Sequence, residues 1–459
     1  VSANNPLLQS YDLPPFSAIR AEHVQPAIEQ ILADNRVAIE GILQSQGKNP
    51  TWAGLVLAMD ELNDRLGAAW SPVSHLNAVC NSAELREAYE GCLPALSAYS
   101  TEMGQNRELF QAFEALANSP EAAGFDVAQK TILEHSLRDF RLSGIDLPPE
   151  QQKRYAEVQS KLSELGSKFS NQLLDATQAW TKHVTDEVTL AGLTDSAKAQ
   201  MAAAAQAKGL DGWLITLEFP SYYAVMTYAH DRALREEVYA AYCTRASDQG
   251  PNAGQNDNGP VMEQILDLRQ ELAKLLGYAS FSELSLATKM AESSDQVLSF
   301  LRDLAKRSKP FAAQDLQQLK AYAAEQGCAD LQSWDSGFYG EKLREQRYSV
   351  SQEALRAYFP IDKVLGGLFA IVQRLYGIEI AEQKASTPGT RMSACLKSRK
   401  TASTSAASSS TCTPAPTNVV APGWTARATV AVRLTAYCKA RWPTWCATSP
   451  RPTAASLPC

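Results

Sequence analysis

Five histidines, His23, His75, His135, His183 and His230, are the side chains of this sequence best suited to hold a metal or move a proton near neutral pH. A zinc-binding helix of the HExxH kind needs two of them four residues apart. Both rings then reach one ion from one helix face, and the Glu between them serves as base. No two of the five have that spacing. Glu134-His135 matches the end of the reversed HxxEH arrangement, but Thr131 stands where its first His is needed. Each His also has an ordinary place: His23 in the first turn of a helix, His75 in a turn after Ser74, and His183 and His230 near helix ends.

Other chemistry is equally hard to assemble. There is no GxSxG nucleophile turn, no GxxxxGK[ST] phosphate loop and no GxGxxG. Gly250, Gly254 and Gly259 in "DQGPNAGQNDNG" fit neither a phosphate nor a calcium loop and read as a long turn between helices. Glu236 and Glu237 fall on a charged, solvated helix face. Cys80, Cys92, Cys243 and Cys328 have no CxxC spacing and read as reduced thiols. Cys395, Cys412, Cys438, Cys446 and Cys459 crowd toward the C-terminus, but no pair is two to four residues apart and no His lies among them, against a zinc knuckle. The expectation is therefore no catalytic, no cofactor-binding and no metal-binding residue in this chain.

The elements around these residues are mostly helical. Val24, Ile28, Ile31, Leu32, Ile39, Ile42 and Leu43 recur with the period of one buried helix face. Thr51 is placed to cap a helix from Trp52 to about Trp70, and Ser82 to cap the next. After Leu147-Pro148-Pro149, a seam of Tyr155, Val158, Leu162, Leu165, Phe169, Leu173, Ala176 and Trp180 predicts one helix of about 30 residues, roughly 45 Å long, joining two lobes. "KHVTDEVTLAGL" and "GWLITLEFPSYY" predict a short β element, the second run ending at Pro220. Helices are predicted again over Tyr222–Thr244, Val261–Gly277, Asp295–Gln326 and Lys363–Tyr376. Strands do not alternate with helices, which excludes a doubly wound sheet.

Charge and composition divide the chain. Of its 459 residues, 1–385 hold all 50 acids and a net charge of −16, whereas 386–459 hold nine basic residues, no acid and no His. An acidic body argues against nucleic acid as partner. No apolar run is long enough for a membrane span, and the first residues lack the pattern of a signal peptide; the expectation is a cytoplasmic protein. From Ser386 on, 23 residues are Ser or Thr and eight are Pro, without periodicity, yet Trp424, Trp442 and Trp445 are also there. Such a mixture without acids is expected from a GC-rich gene read out of frame.

"YAAYCTRASDQGPNAG", "VMEQILDLRQELAKLLG" and "SLATKMAE", between Tyr239 and Glu292, resemble the thimet oligopeptidase family of zinc metallopeptidases. So, in order, do "PPFSAIRAEHVQPAIEQ", "SPVSHLNAVCNSAELREAYE", "LRDFRLSGIDLPPEQQKRYAEVQSKLSELGSKFSNQLLDAT", "FPSYYAVMTYA", "WDSGFYGEKLREQRYSVSQEALRAYFP" and "VLGGLFAIVQRLYGIEI", as far as about Ile380. The resemblance implies a mainly α, two-lobed helical oligopeptidase-like fold with a minor β element, its lobes flanking a channel for short peptides. It implies a zinc ion held by an HExxH helix and a Glu on a following helix. The pattern is lost around Glu382–Ser386, before any such motif, so the second lobe is expected to be incomplete and zinc is not expected to bind this chain. The expected organisation is a helical domain over 1–146, the long helix and β element over 147–221, the N-terminal part of a metallopeptidase catalytic domain over 222–385, and an aberrant, disordered tail over 386–459. The function expected is that of a metalloendopeptidase degrading short peptides, with this chain inactive alone. The alternative is a non-catalytic helical protein that binds peptides or a partner. Oligomeric state is not legible.

Overall fold

The computed structural model describes residues 4–11, 14–383, 393–400, 404–411 and 425–427. Its fifteen α-helices there are α1 (Ala21–Gln46), α2 (Ala58–Val79), α3 (Ala83–Gly104), α4 (Arg107–Ala117), α5 (Val127–Leu142), α6 (Pro149–Ala179), α7 (Asp195–Ala207), α8 (Phe219–Tyr228), α9 (Arg232–Cys243), α10 (Gly259–Leu275), α11 (Phe281–Leu286), α12 (Ser294–Glu325), α13 (Ser336–Tyr348), α14 (Gln352–Arg356) and α15 (Ile361–Tyr376). Strands β1 (Thr181–Val184) and β2 (Trp213–Thr216) pair antiparallel between α6 and α8, so the fold is mainly α with a small β element.

Helix α1 buries Val24, Ile28, Ile31, Leu32 and Ile39, while Ile42 and Leu43 are half-buried against the same core. That core is drawn entirely from residues 7–145. The caps form as expected: Thr51 Oγ1 accepts the Gly54 N–H at 3.1 Å, and Ser82 Oγ accepts the Leu85 N–H at 3.2 Å. Beyond Thr51 the helix begins with a π-helical turn, Trp52–Leu57, and then runs on past Trp70 to Val79. This corrects the placement of His75 in a turn. Pro72 has no N–H to donate to the carbonyl of Ala68 one turn earlier, and the Tyr11 hydroxyl donates to that carbonyl instead.

Helix α6 spans 31 residues and buries Tyr155, Val158, Leu165 and Ala176. One side packs on α3 and another on α10, so it links the first core to the later helices. Arg86 on α3 grips Asp175 on α6 through two hydrogen bonds of 2.9 Å. A second core gathers around β1, β2 and α7–α9, with Leu190, Ile215, Val225 and Val238 fully buried. The predicted helix over Tyr222–Thr244 is two helices, α8 and α9. Asp231 caps α9 by accepting the Ala233 and Leu234 N–H groups at 2.9 and 3.2 Å, a side-chain alternative to continuing the helix. Pro220 does not end β2 but sits in the first turn of α8, where its missing N–H costs nothing.

Three described stretches beyond residue 386 are strands: β4 (Ser393–Lys400), β5 (Thr404–Thr411) and β6 (Thr425–Arg427). With β3 (Ile378–Gln383) they form an antiparallel sheet in the order β3-β4-β5-β6. The expectation of a tail without regular structure is corrected over these stretches. Pairing rests on main-chain groups and needs no hydrophobic period. β4, β5 and β6 themselves contain no proline. The rest of the expected tail, residues 386–392, 401–403, 412–424 and 428–459, lies outside the described residues.

Candidate functional site

The histidines stay apart. His23 sits in the first turn of α1, where its Nδ1 accepts the Arg20 N–H at 3.1 Å. His75, inside α2, packs on the Phe16 ring at 5.4 Å, and burial lowers its pKa below the ordinary histidine value. His135 is exposed on α5, where Thr131 Oγ1 is occupied as a donor to the Val127 carbonyl. His183 lies on β1 with Nε2 2.5 Å from the Asp211 carbonyl. His230 lies between α8 and α9, its N–H bonded to the Ala191 carbonyl at 2.9 Å and its ring edge-on to Phe338. Among the described residues no three His, Cys, Asp or Glu side chains converge as a metal would require. The described residues bring no such ligand set together, and no catalytic step through a zinc ion is derived from them.

What the described residues do bring together is a buried ionic cluster. Asp335, with none of its surface exposed, accepts from Arg235 Nη2 at 2.8 Å, from Arg232 Nη2 at 2.7 Å and from the Gln332 N–H at 3.1 Å. Arg235 is itself 1% exposed and also donates to the Ala229 carbonyl at 2.6 Å. Its guanidinium lies 4.2 Å from the centre of the Phe338 ring. Burial opposes ionisation of Asp335, but the hydrogen bonds from Arg232, Arg235 and the Gln332 N–H outweigh it and hold the carboxyl below the usual range. The cluster ties α9 to the turn before α13. With both its oxygens engaged, this carboxylate acts as a clamp rather than as a base. No motif or spacing in the sequence marks these residues. The available signal was that Arg235 shares a helix face with Val238 and Ala241, both buried.

A cleft of about 510 Å³ opens between α7, α8 and α14, lined in part by Gln200, Tyr223, Tyr228, Arg356 and Phe359. Its lining combines a guanidinium, two phenols and an aromatic ring, the mix of apolar and polar groups common in ligand clefts. Parts of α12 and α15 leave apolar side chains uncovered. Phe300 and Phe311 on α12, and Ile371 and Leu375 on α15, are each more than half exposed.

Residues 225–399 match peptidase family M3, and residues 28–153 match the neurolysin/thimet oligopeptidase N-terminal domain. Over these two stretches the chain is similar in sequence to peptidase family M3 and to that N-terminal domain. Its relatives include oligopeptidase A of Haemophilus influenzae, 53% identical over 387 residues, and oligopeptidase A of Escherichia coli, 54% identical over 381. These alignments take in 84% and 83% of this chain and 56% of each relative. Dipeptidyl carboxypeptidase of Salmonella typhimurium is 28% identical over 388 residues, again 83% of this chain and 56% of the relative. The chain thus spans little more than half the length of the relatives it matches. The family M3 match runs to residue 399, past the point at which the sequence pattern was expected to fail.

Proposed function

We propose that residues 1 to about 380 are the N-terminal portion of a cytoplasmic zinc metalloendopeptidase of the oligopeptidase A type, which degrades short peptides. The polypeptide as written does not itself cleave them. Supporting this reading is the collinear identity of 53% to oligopeptidase A of Haemophilus influenzae, in a chain that contains no HExxH. Two imidazoles and a carboxylate are needed to fix the ion and lower the pKa of its water toward about 7. The 74 residues from Ser386 contain no His, Asp or Glu. The zinc of the family is accordingly assigned to sequence this chain does not carry.

The loss of every acid beyond Glu382, within a continuing family match, supports a change of reading frame between about residues 380 and 399. Resequencing that region of the gene, followed by a one-base correction, gives the comparison. The 459-residue chain is expected to leave a quenched fluorescent short peptide intact with added zinc. The corrected protein is expected to cleave it until a chelator is added. Chelator-sensitive turnover by the purified 459-residue chain would overturn this reading.

A further inference from the structure

Helix α12 is 32 residues long and buries only Ala323. Residues 298–317 are exposed without interruption, a length of roughly 30 Å at the usual helical rise. Yet this stretch carries Leu298, Phe300, Leu301, Leu304, Phe311 and Leu316. Helix α15 is similar: none of its 16 residues is buried, and Val364, Leu368, Ile371 and Leu375 line up at helical spacing on one exposed stripe. Isolated helices of about 12–15 residues are marginal in water, and amphipathic helices draw most of their stability from a packed face. Apolar patches of this extent mark interaction surfaces. Among residues 14–210, by contrast, large exposed apolar residues such as Val37, Val127 and Val188 are scattered singly.

We propose that the exposed faces of α12 and α15 are a docking surface for one occupant: the polypeptide that the oligopeptidase A relatives carry beyond the part shared with this chain. This rests on the reading of the chain as the N-terminal portion of such a peptidase. Both helices lie inside the segment matched to family M3, and the match covers only 56% of each relative. An unfinished family unit is the source of cover whose length and location agree with the bare faces. A second copy of this chain would have to meet the same long, projecting helix with itself, leaving the rest of the family unit unaccounted for.

The test co-expresses the full 459-residue chain with a tagged segment of Haemophilus influenzae oligopeptidase A that begins where the shared part stops. Light scattering is expected to give a one-to-one complex. Amide exchange is expected to slow across residues 298–317. Leu304→Glu and Ile371→Glu are each expected to weaken association at least tenfold, while leaving the circular dichroism of the chain alone unchanged because both positions are exposed. The proposal is overturned by a segment recovered only as aggregate beside soluble chain, by a complex indifferent to both substitutions, or by a self-dimer that the same substitutions dissolve. Peptide hydrolysis is read separately. A one-to-one complex that fails to hydrolyse leaves the docking surface standing and counts against the peptidase reading. An active corrected enzyme beside fragments that do not associate sinks the docking surface alone.

Discussion

Arg235 donates to Asp335 across 2.8 Å with both side chains almost wholly withdrawn from water. The pair joins residues 100 positions apart in the chain, and Arg232 and the Phe338 ring complete its surroundings. A buried charge keeps its ionised form only when its partner is present, so the two ends of this contact are interdependent.

Asp335→Asn is expected to cost about 3–5 kcal/mol of unfolding free energy, because it leaves Arg235 charged and uncompensated in the interior. The folded pKa of Asp335 is lowered. Its contribution is therefore complete above the unfolded carboxyl value of about 3.9 and is lost as the pH falls through the lower folded value. Urea melts across the acid range should show that loss in the native chain and not in the variant. Equal stability of the two at neutral pH would remove the clamp.

His75 titrates in the opposite sense. Burial lowers its folded pKa, so the unfolded chain takes up the proton first. Stability should decline as the pH drops below about 6.5 and be insensitive to this group above it. His75→Gln is expected to flatten that part of the stability–pH curve. An unchanged slope would mean that the ring is hydrated in solution.

Tyr11→Phe should cost about 1 kcal/mol, the usual net worth of a hydrogen bond, since the Ala68 carbonyl then has neither the Tyr11 hydroxyl nor a helical N–H from Pro72. With Pro72→Ala the helix supplies its own donor, and the effect of Tyr11→Phe should shrink. A double-mutant cycle by urea unfolding measures this. Strict additivity would show that Tyr11 is not replacing the missing donor.

Cys92 should be the slow thiol. It is 1% exposed, and burial, with the Glu29 carboxylate adding to it, pushes its pKa up to about 11. At pH 8 roughly one part in a thousand is thiolate. Alkylation followed by site-resolved mass spectrometry should find Cys243, which is exposed, modified at least about 100-fold faster. The difference should vanish in urea; a native Cys92 that reacts as fast as Cys243 would place it at the surface.

Local signals in the sequence sufficed where a residue's role depends on its neighbours along the chain. Thr51 and Ser82 are caps because their oxygens reach N–H groups three residues on. The 3-and-4 spacing from Tyr155 to Ala176 gives α6 whatever it later packs against. His75 escaped because Pro72 normally argues for a break, and the group that permits continuation, Tyr11, is distant in sequence. Asp335 escaped because its partners lie 100 and 103 residues away. One acid on a short turn reads the same whether solvated or buried.

The sequence by itself determined the helical class, the similarity to peptidase family M3 and the absence of an HExxH from these 459 residues. Those are properties of composition, period and motif, carried by residue order alone. Only the tertiary structure decided that the histidines do not converge, that Arg235 and Asp335 do, and that α12 and α15 present apolar faces covered by no other described residue. Burial and convergence depend on which distant segments pack together, and an amphipathic helix reads identically in sequence whether its partner is present or not.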